Sequence, residues 1–255
     1  MINLPQTLPE GALLDRDRLR LARAVGESGG LWFRATGPAL SPENPGAGTA
    51  VTRWQSLDGS AVLAPSEPNI GNARFAADAT PPGLVLREGV HCGFWLAGAT
   101  HTSRSFSAAV IYSAPSGDPR TLLSLSTGQD HNLVFLSDAD GQLSLHDRAT
   151  GAGMDLPQPG RATRPRLAIL SYDGRELALN GAGRTLRATA PDLPGLDRPG
   201  DLFVGCRSNR RGLLKTLGQG LIHDVLFWQD RAILTEETPG PDLPALLIRY
   251  HRWAF

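Results

Sequence analysis

The stretch RPRLAILSYDGRELALN, residues 164–180, runs into Asn180-Gly181 and decides the fold class. Leu167 and Ile169 point one way, Asp173-Gly174 interrupts them, and Leu177 and Leu179 resume the alternation. Period-two alternation broken by Asp-Gly or Asn-Gly marks a hairpin, because these pairs tolerate the positive φ of a two-residue turn. LFVG at 202–205 and GQGLIHDVLFWQDRAILTEE at 218–237 add further strands. Earlier in the chain, Phe106, Ala108, Val110 and Tyr112 share a face, and Leu123 and Leu125 follow the turn-forming SGDPR. Leu133 and Phe135 lead into Asp138-Ala139-Asp140-Gly141, and Leu143 and Leu145 answer them. Short strands at this spacing predict an all-β sandwich of antiparallel sheets.

A chain of 255 residues is long enough to bury a sizeable core. Its 25 Lys plus Arg balance 25 Asp plus Glu, so no net field favours nucleic acid or an anionic membrane. No apolar run reaches the ~20 residues that span a bilayer. MINLPQTLPEGALL lacks the basic-then-apolar order of a secretory signal, which predicts a soluble chain made in the cytoplasm. Cys92 and Cys206 stand far apart in sequence; a disulfide and two buried thiols are both compatible with that, and no Cys/His spacing suggests zinc.

Residues 1–48 differ from the rest. DRDRLRLARAVGE at 15–27 reads as a short helix or an edge strand with a solvated charged face, and GPALSPENPGAG at 37–48 reads as a linker. This organisation predicts an attachment segment over 1–48 and a β-domain over 49–255. LPALLIRYHRWAF at 243–255 predicts a short C-terminal helix, with Arg249, His251 and Arg252 near its end.

From Val51 onward the order of elements resembles the concanavalin A-like jelly rolls, in particular laminin G-like domains of bacterial and phage proteins. Val51-Thr52-Arg53-Trp54 precedes Asp58-Gly59, LVFLSDADGQLSLHD matches the family's central hairpin, and LAILSYDGRELALNGAG matches the block after it. LFVG and the closing Gly220, Ile222, Val225, Trp228 and Ile233-Leu234 complete the resemblance, which spans residues 50–237. Arg164-Pro165 stands where the family carries a tryptophan-histidine pair. The resemblance implies a two-sheet jelly roll with a ligand on a concave face or its rim. In some members a rim loop binds calcium.

The same fold hosts glycoside hydrolases, which need two carboxylates flanking the scissile bond. Between residues 100 and 190 the sole glutamate is Glu176, beside a turn, and Glu236-Glu237 lies at the exit of the last strand. No strand offers carboxylates at alternate positions, so the chain is expected not to be an enzyme. His223 and Asp224 are adjacent and are expected on opposite faces of a strand. Asp138-Ala139-Asp140-Gly141 reads as a hairpin turn, since the twelfth-position glutamate of a calcium loop is missing. No metal or other cofactor is expected, with calcium left open at a site shared with Asp130 or Asp118.

Sugar recognition needs aromatic faces and planar polar groups. His146, with Gln142 and Ser144, marks a wet strand face; CRSNRRG contributes Arg207, Asn209, Arg210 and Arg211; TGQDHN contributes Asp130, His131 and Asn132. The arginine cluster suits acidic sugars. Trp54, Trp95 and Trp228 sit in strand patterns and are assigned to the core. Together with the resemblance, these features predict a non-catalytic, lectin-like protein for cell-surface polysaccharide. It would be carried on the surface of a phage-like particle as a receptor-binding spike or fibre subunit. Its N-terminal segment would meet other virion-like structural proteins, and an oligomer stays open. The alternative is a decoration or adaptor jelly roll without a sugar site.

Overall fold

The computed structural model describes residues 12–100, 105–127, 133–190, 199–235 and 240–255. It opens with helix α1 (Ala12–Glu27) and strands β1 (Gly30–Arg34), β2 (Leu40–Ser41), β3 (Arg53–Gln55), β4 (Val62–Pro65), β5 (Arg74–Ala76) and β6 (Gly83–Leu86). Longer strands follow: β7 (Phe94–Thr100), β8 (Phe106–Ser113), β9 (Arg120–Ser126), β10 (Leu133–Ala139), β11 (Gln142–Asp147) and β12 (Gly153–Pro157). The chain continues through β13 (Arg166–Tyr172), β14 (Glu176–Gly181), β15 (Arg184–Thr189), β16 (Gly200–Val204) and β17 (Gly220–Trp228) to helix α2 (Leu243–Ala254).

The strands form two antiparallel sheets, as a jelly-roll sandwich requires. One is eight-stranded, ordered β15-β14-β13-β8-β17-β6-β5, with β1 taking up the edge of β17 beyond β6; the other is nine-stranded, ordered β12-β11-β10-β9-β16-β7-β4-β3-β2. Between them lies the main core. Phe106, Ala108, Val110 and Tyr112 of β8 enter it, while Ala109 and Ile111 point the other way, under the two helices. A third layer therefore covers the outer face of the eight-stranded sheet, which is why β8 is buried along its whole length and apolar from Ala108 to Ile111. In β13, Leu167 and Ile169 face the helices, whereas Leu177 and Leu179 of β14 face the opposite sheet.

Helix α2 is held by a polar cluster under its last turns. The register of β17 against β8 shifts between Ile222 and Asp224. This bulge sends Ile222 and Val225 into the core and turns His223 and Asp224 both towards α2, so the expectation of opposite faces is corrected. Tyr250 donates to Asp224 Oδ2 at 2.6 Å, and Arg34 Nε lies 3.4 Å from Oδ1. Burial pushes the Asp224 carboxyl up, and Arg34 and Tyr250 oppose that rise. His223 donates from Nδ1 to the Pro82 carbonyl at 2.7 Å, leaving Nε2 to accept from Ser113 Oγ at 2.9 Å. At the other end of the helix, Asp242 caps by accepting from the Ala245 amide at 3.0 Å.

The turns differ from expectation at one place. Asp140 and Gly141, at φ 53° and 75°, make the two-residue turn read from the sequence between β10 and β11. Asn180-Gly181, in contrast, lies inside β14, and the turn falls on Ala182 and Gly183, at φ 50° and 76°. Close packing explains the shift: a Cβ on Gly181 would sit 2.6 Å from Leu143 Cδ2. Cys92 and Cys206 are both free and buried, and burial raises the Cys206 thiol to about 12.

The described residues before position 48 lie on the sandwich. Leu21, Ala24 and Val25 of α1 pack into the helix layer, β1 pairs with β17 over five residues, and β2, within the 37–48 stretch, pairs with β3. Among the described residues no helix is long and apolar enough to cross a membrane.

Two outcomes are expected in denaturant and pH titrations. Gly181→Ala should destabilise by about 1–3 kcal/mol through overpacking, while Ala182→Gly should stabilise by up to about 1 kcal/mol by relieving a left-handed alanine. Burial lowers the proton affinity of His91, His223 and His251 below the ordinary value of 6.5. The unfolded chain therefore takes up protons that the fold refuses. Stability should be fully present above pH 6.5 and fall as pH drops below it, and His223→Asn should flatten that fall.

Candidate functional site

The helix layer covers one sheet only; on the outer face of the nine-stranded sheet Phe135, Ser144, His146 and Trp95 are partly exposed, whereas Thr121, Ser124 and Phe203 are buried. Cross-strand pairing sets two adjacent rows on it. One runs Gly153, His146, Phe135, Ser124, Phe203, Trp95; its neighbour runs Asp155, Ser144, Ser137, Thr121. Trp95 stacks on Phe203 with ring centres 6.1 Å apart, and Phe135 tilts against His146 at 5.8 Å.

Arg207 closes over this row. Its Cζ lies 3.7 Å from the centre of the Phe135 ring, and its Nε donates to Thr121 Oγ1 at 3.3 Å. Ser124 Oγ donates to the Arg207 carbonyl at 3.1 Å, tying the arginine's backbone to β9. Burial, with Arg148 nearby, brings the guanidinium down to about 10, which leaves it charged at neutral pH. On the far side of Phe135, His146 Nε2 donates to Asp155 Oδ1 at 3.2 Å, and Ser144 Oγ donates to the same oxygen at 2.5 Å. Gly153 leaves room for the imidazole, since a Cβ there would stand 2.1 Å from His146 Nδ1.

Of the residues expected to bind sugar, the fold brings Arg207 and His146 to opposite sides of one aromatic ring. Asn209 turns elsewhere and accepts from the Glu67 amide at 2.7 Å, bracing its loop. Arg210 and Arg211 are exposed on that loop. Asp130, His131 and Asn132 lie outside the described residues. Sequence reasoning missed Phe135, Thr121, Asp155 and Trp95. Phe135 was placed in the alternation facing Leu143 and Leu145, but Val134 and Leu136 are the core residues of β10, so Phe135 faces outward. Trp95, assigned to the core, is half-buried on the same outer face, unlike Trp54 and Trp228, which are fully buried. The one available signal was an aromatic on a strand whose hairpin partner carries Ser144 and His146 on its polar side.

A second feature lies at one end of the sandwich. A cavity of about 240 Å³ is lined by Asp118, Asp138, Arg161 and Arg166. Asp138 is buried; its Oδ2 accepts from Tyr112 Oη at 2.6 Å and from Arg166 Nη1 at 3.2 Å. Oδ1 has no hydrogen-bond partner among the described residues. Burial pushes the Asp138 carboxyl up, against the pull of Tyr112 and Arg166 and with the help of Asp118. A larger cavity of about 510 Å³ lies beside the start of α2, between Asn180, Thr185 and Asp242, and among the described residues its one titratable lining group is the helix cap. Among the described residues, no three His, Cys, Asp or Glu side chains stand together as metal ligands.

No protein-family model matches the chain, and no curated protein matches it in sequence. Solved structures share its fold. Domain 4 of AbnA, a GH43 extracellular arabinanase from Geobacillus stearothermophilus in complex with arabinotriose, is 13% identical with a TM-score of 0.52, over 75% of this chain and 91% of that one. An arabinofuranosidase complexed with arabinofuranosyl-xylobiose is 12% identical with a TM-score of 0.54, over 80% of this chain and 51% of that one. Trypanosoma rangeli sialidase is 9% identical with a TM-score of 0.51, over 86% of this chain and 36% of that one. The chain thus spans about half of the arabinofuranosidase and about a third of the sialidase.

These likenesses carry the fold and correct one expectation. The exclusion of enzymatic activity does not stand, because proteins that share this architecture include an arabinofuranosidase and a sialidase. Nor are paired carboxylates confined to one strand: Asp118 and Asp138 reach one cavity from a loop and from the end of β10.

Gly153→Ala should displace the His146 ring from Phe135 and Asp155 while leaving the core intact. The expected readout is a shifted His146 imidazole resonance with an unchanged melting midpoint.

Proposed function

We propose that this chain is a carbohydrate-binding jelly roll whose glycan site is the Arg207–Phe135–His146 face of the nine-stranded sheet. The single observation that carries the reading is Arg207, part-buried with its Cζ 3.7 Å over the Phe135 ring and tied to two hydroxyl residues of β9, Thr121 and Ser124. Sugar sites combine apolar ring faces with planar hydrogen-bonding groups, and this face supplies both within two rows. Oligosaccharide complexes of proteins with the same fold support the reading by analogy of architecture. A glycan array with folded protein tests it. Binding is expected to weaken about tenfold or more in Phe135→Ala, while Arg211→Ala, on the exposed loop, should change little. Binding that survives Phe135→Ala unchanged would move the site elsewhere.

A second reading is favoured by the cavity at the end of the sandwich. Asp138 holds both its donors on Oδ2, so a proton taken up by this carboxyl would sit on Oδ1, with the Asp118 carboxylate bordering the same space. Glycoside hydrolysis uses an acid and a second carboxylate, and this cavity supplies a candidate for each. Release of reducing ends from a polysaccharide panel, abolished in Asp118→Asn with the fold intact, would establish it. No release from any of them would sink it.

Delivery on a phage-like particle is the finer form of the first reading. Its support is the sequence organisation and an exposed surface on α1 that includes Leu19, 62% exposed. Deleting residues 1–48 is not a clean test, because it strips β1 from β17. Leu19→Glu in the full chain is the better variant. Co-sedimentation with particles should be lost while glycan binding persists, and retention of particles by the variant would argue against α1 as the attachment surface.

A further inference from the structure

Arginines that leave solvent in this fold meet an acceptor. Arg34 meets Asp224, Arg166 meets Asp138, Arg120 meets Glu88 at 2.5 Å, and Arg87 turns to the carbonyls of Ile70, Gly71 and Asn72. Arg207 differs in that its one acceptor among the described residues is a hydroxyl, Thr121 Oγ1, met by Nε alone. It is part-buried, yet among the described residues no carboxylate pairs with it, and its neighbour in the field is another cation, Arg148. Two carboxylates of the same face are engaged elsewhere, Asp155 by His146 and Ser144 and Asp201 by the Gly98 amide.

We infer that Arg207 is the anchor for the carboxylate of an acidic sugar, of the uronate or sialate class, an assignment that rests on the glycan reading above. The guanidinium is already in place: Phe135 supports one face, Thr121 holds Nε, and Ser124 fixes the backbone behind it. Both Nη groups are left without a partner among the described residues. Two parallel N–H donors at the free end of a planar cation match the two oxygens of a carboxylate, and the aromatic ring beneath restricts approach to the plane of the fork. Arg148 adds a second positive charge, which draws an anion in and disfavours a cationic ligand. Removing a cation from water without a counter-charge is costly, and an incoming carboxylate relieves that cost at this atom group. Binding energy and specificity for the charged sugar therefore have one source.

The test is titration calorimetry of the full chain against carboxylated glycans, uronate-containing and sialylated, each paired with its carboxyl-reduced counterpart. The reduced partner keeps every ring and hydroxyl and loses only the charge. The carboxylated form is expected to bind about ten- to hundredfold more tightly, the range of a charge-assisted hydrogen-bonded pair. Arg207→Lys should lose most of that preference because the charge stays and the fork goes. Thr121→Val, which frees Nε without touching the charge, should lose a smaller part, and a thermal melt reports whether each variant folds. Equal affinity for a glycan and its reduced partner would overturn the carboxylate assignment and leave the glycan reading standing. Tighter binding of a sulfated glycan than of any carboxylated one would also overturn it. Failure of every glycan to bind would overturn both.

Discussion

The structure depends on β17 lying in the interior of its sheet with both faces covered. It hydrogen-bonds to β8 along one side and to β6 and then β1 along the other, so no edge of it is left to solvent. A strand so placed must be apolar towards the opposite sheet and apolar towards whatever covers its back. Ile222, Val225 and Phe227 meet the first requirement, and Leu226 and Trp228 the second. The bulge at 222–224 is the one place where the alternation breaks. It inserts His223 and Asp224 beneath the helix layer, where buried polar groups persist only with partners. Tyr250, Arg34, Ser113 and the Pro82 carbonyl supply them, and in doing so they fix where α2 and the chain's end can sit.

That arrangement makes the sandwich unequal. One sheet is covered by helices, and its outward residues there are apolar or, like Ser107 and Asp224, polar with buried partners. The other carries polar and aromatic residues together on its outer face, partly exposed at Phe135 and His146 and buried at Thr121, Ser124 and Phe203. Phe135 beneath Arg207 illustrates the difference. Packed under a helix, the same ring would be core; on an open face it steadies a guanidinium. The small cluster of Trp95, Phe203, Cys206 and Leu217 borders this region and shows that the 206–217 segment partly roofs the same sheet.

Chemistry in a sandwich need not follow the strand period. Alternate carboxylates on one strand are a sufficient arrangement for paired acids, and they are legible in sequence. Loops at a sandwich end bring residues together from anywhere in the chain. Asp118 and Asp138 are 20 positions apart, on a loop and a strand end, and no periodicity connects them.

Local patterning determined the strands, most of the turns, the two-sheet class and the C-terminal helix, because period and turn chemistry are properties of a few adjacent residues. Asp140-Gly141 was readable for that reason, and His146 was readable as a wet-face residue. Registers and faces were not. Asn180-Gly181 carries the better turn chemistry, yet Gly181 is required against Leu143, and the turn moves to Ala182-Gly183. Phe135 differs from a core residue only in the phase of its strand, which the opposing sheet sets. Arg207 was legible as one arginine among several in a loop; that it lies on the Phe135 ring depends on pairing among β9, β10 and β16. Sequence fixes what each residue prefers nearby, and only long-range packing decides which residues meet, because contacts between distant segments are won by burial of the whole core rather than by any one segment's preference.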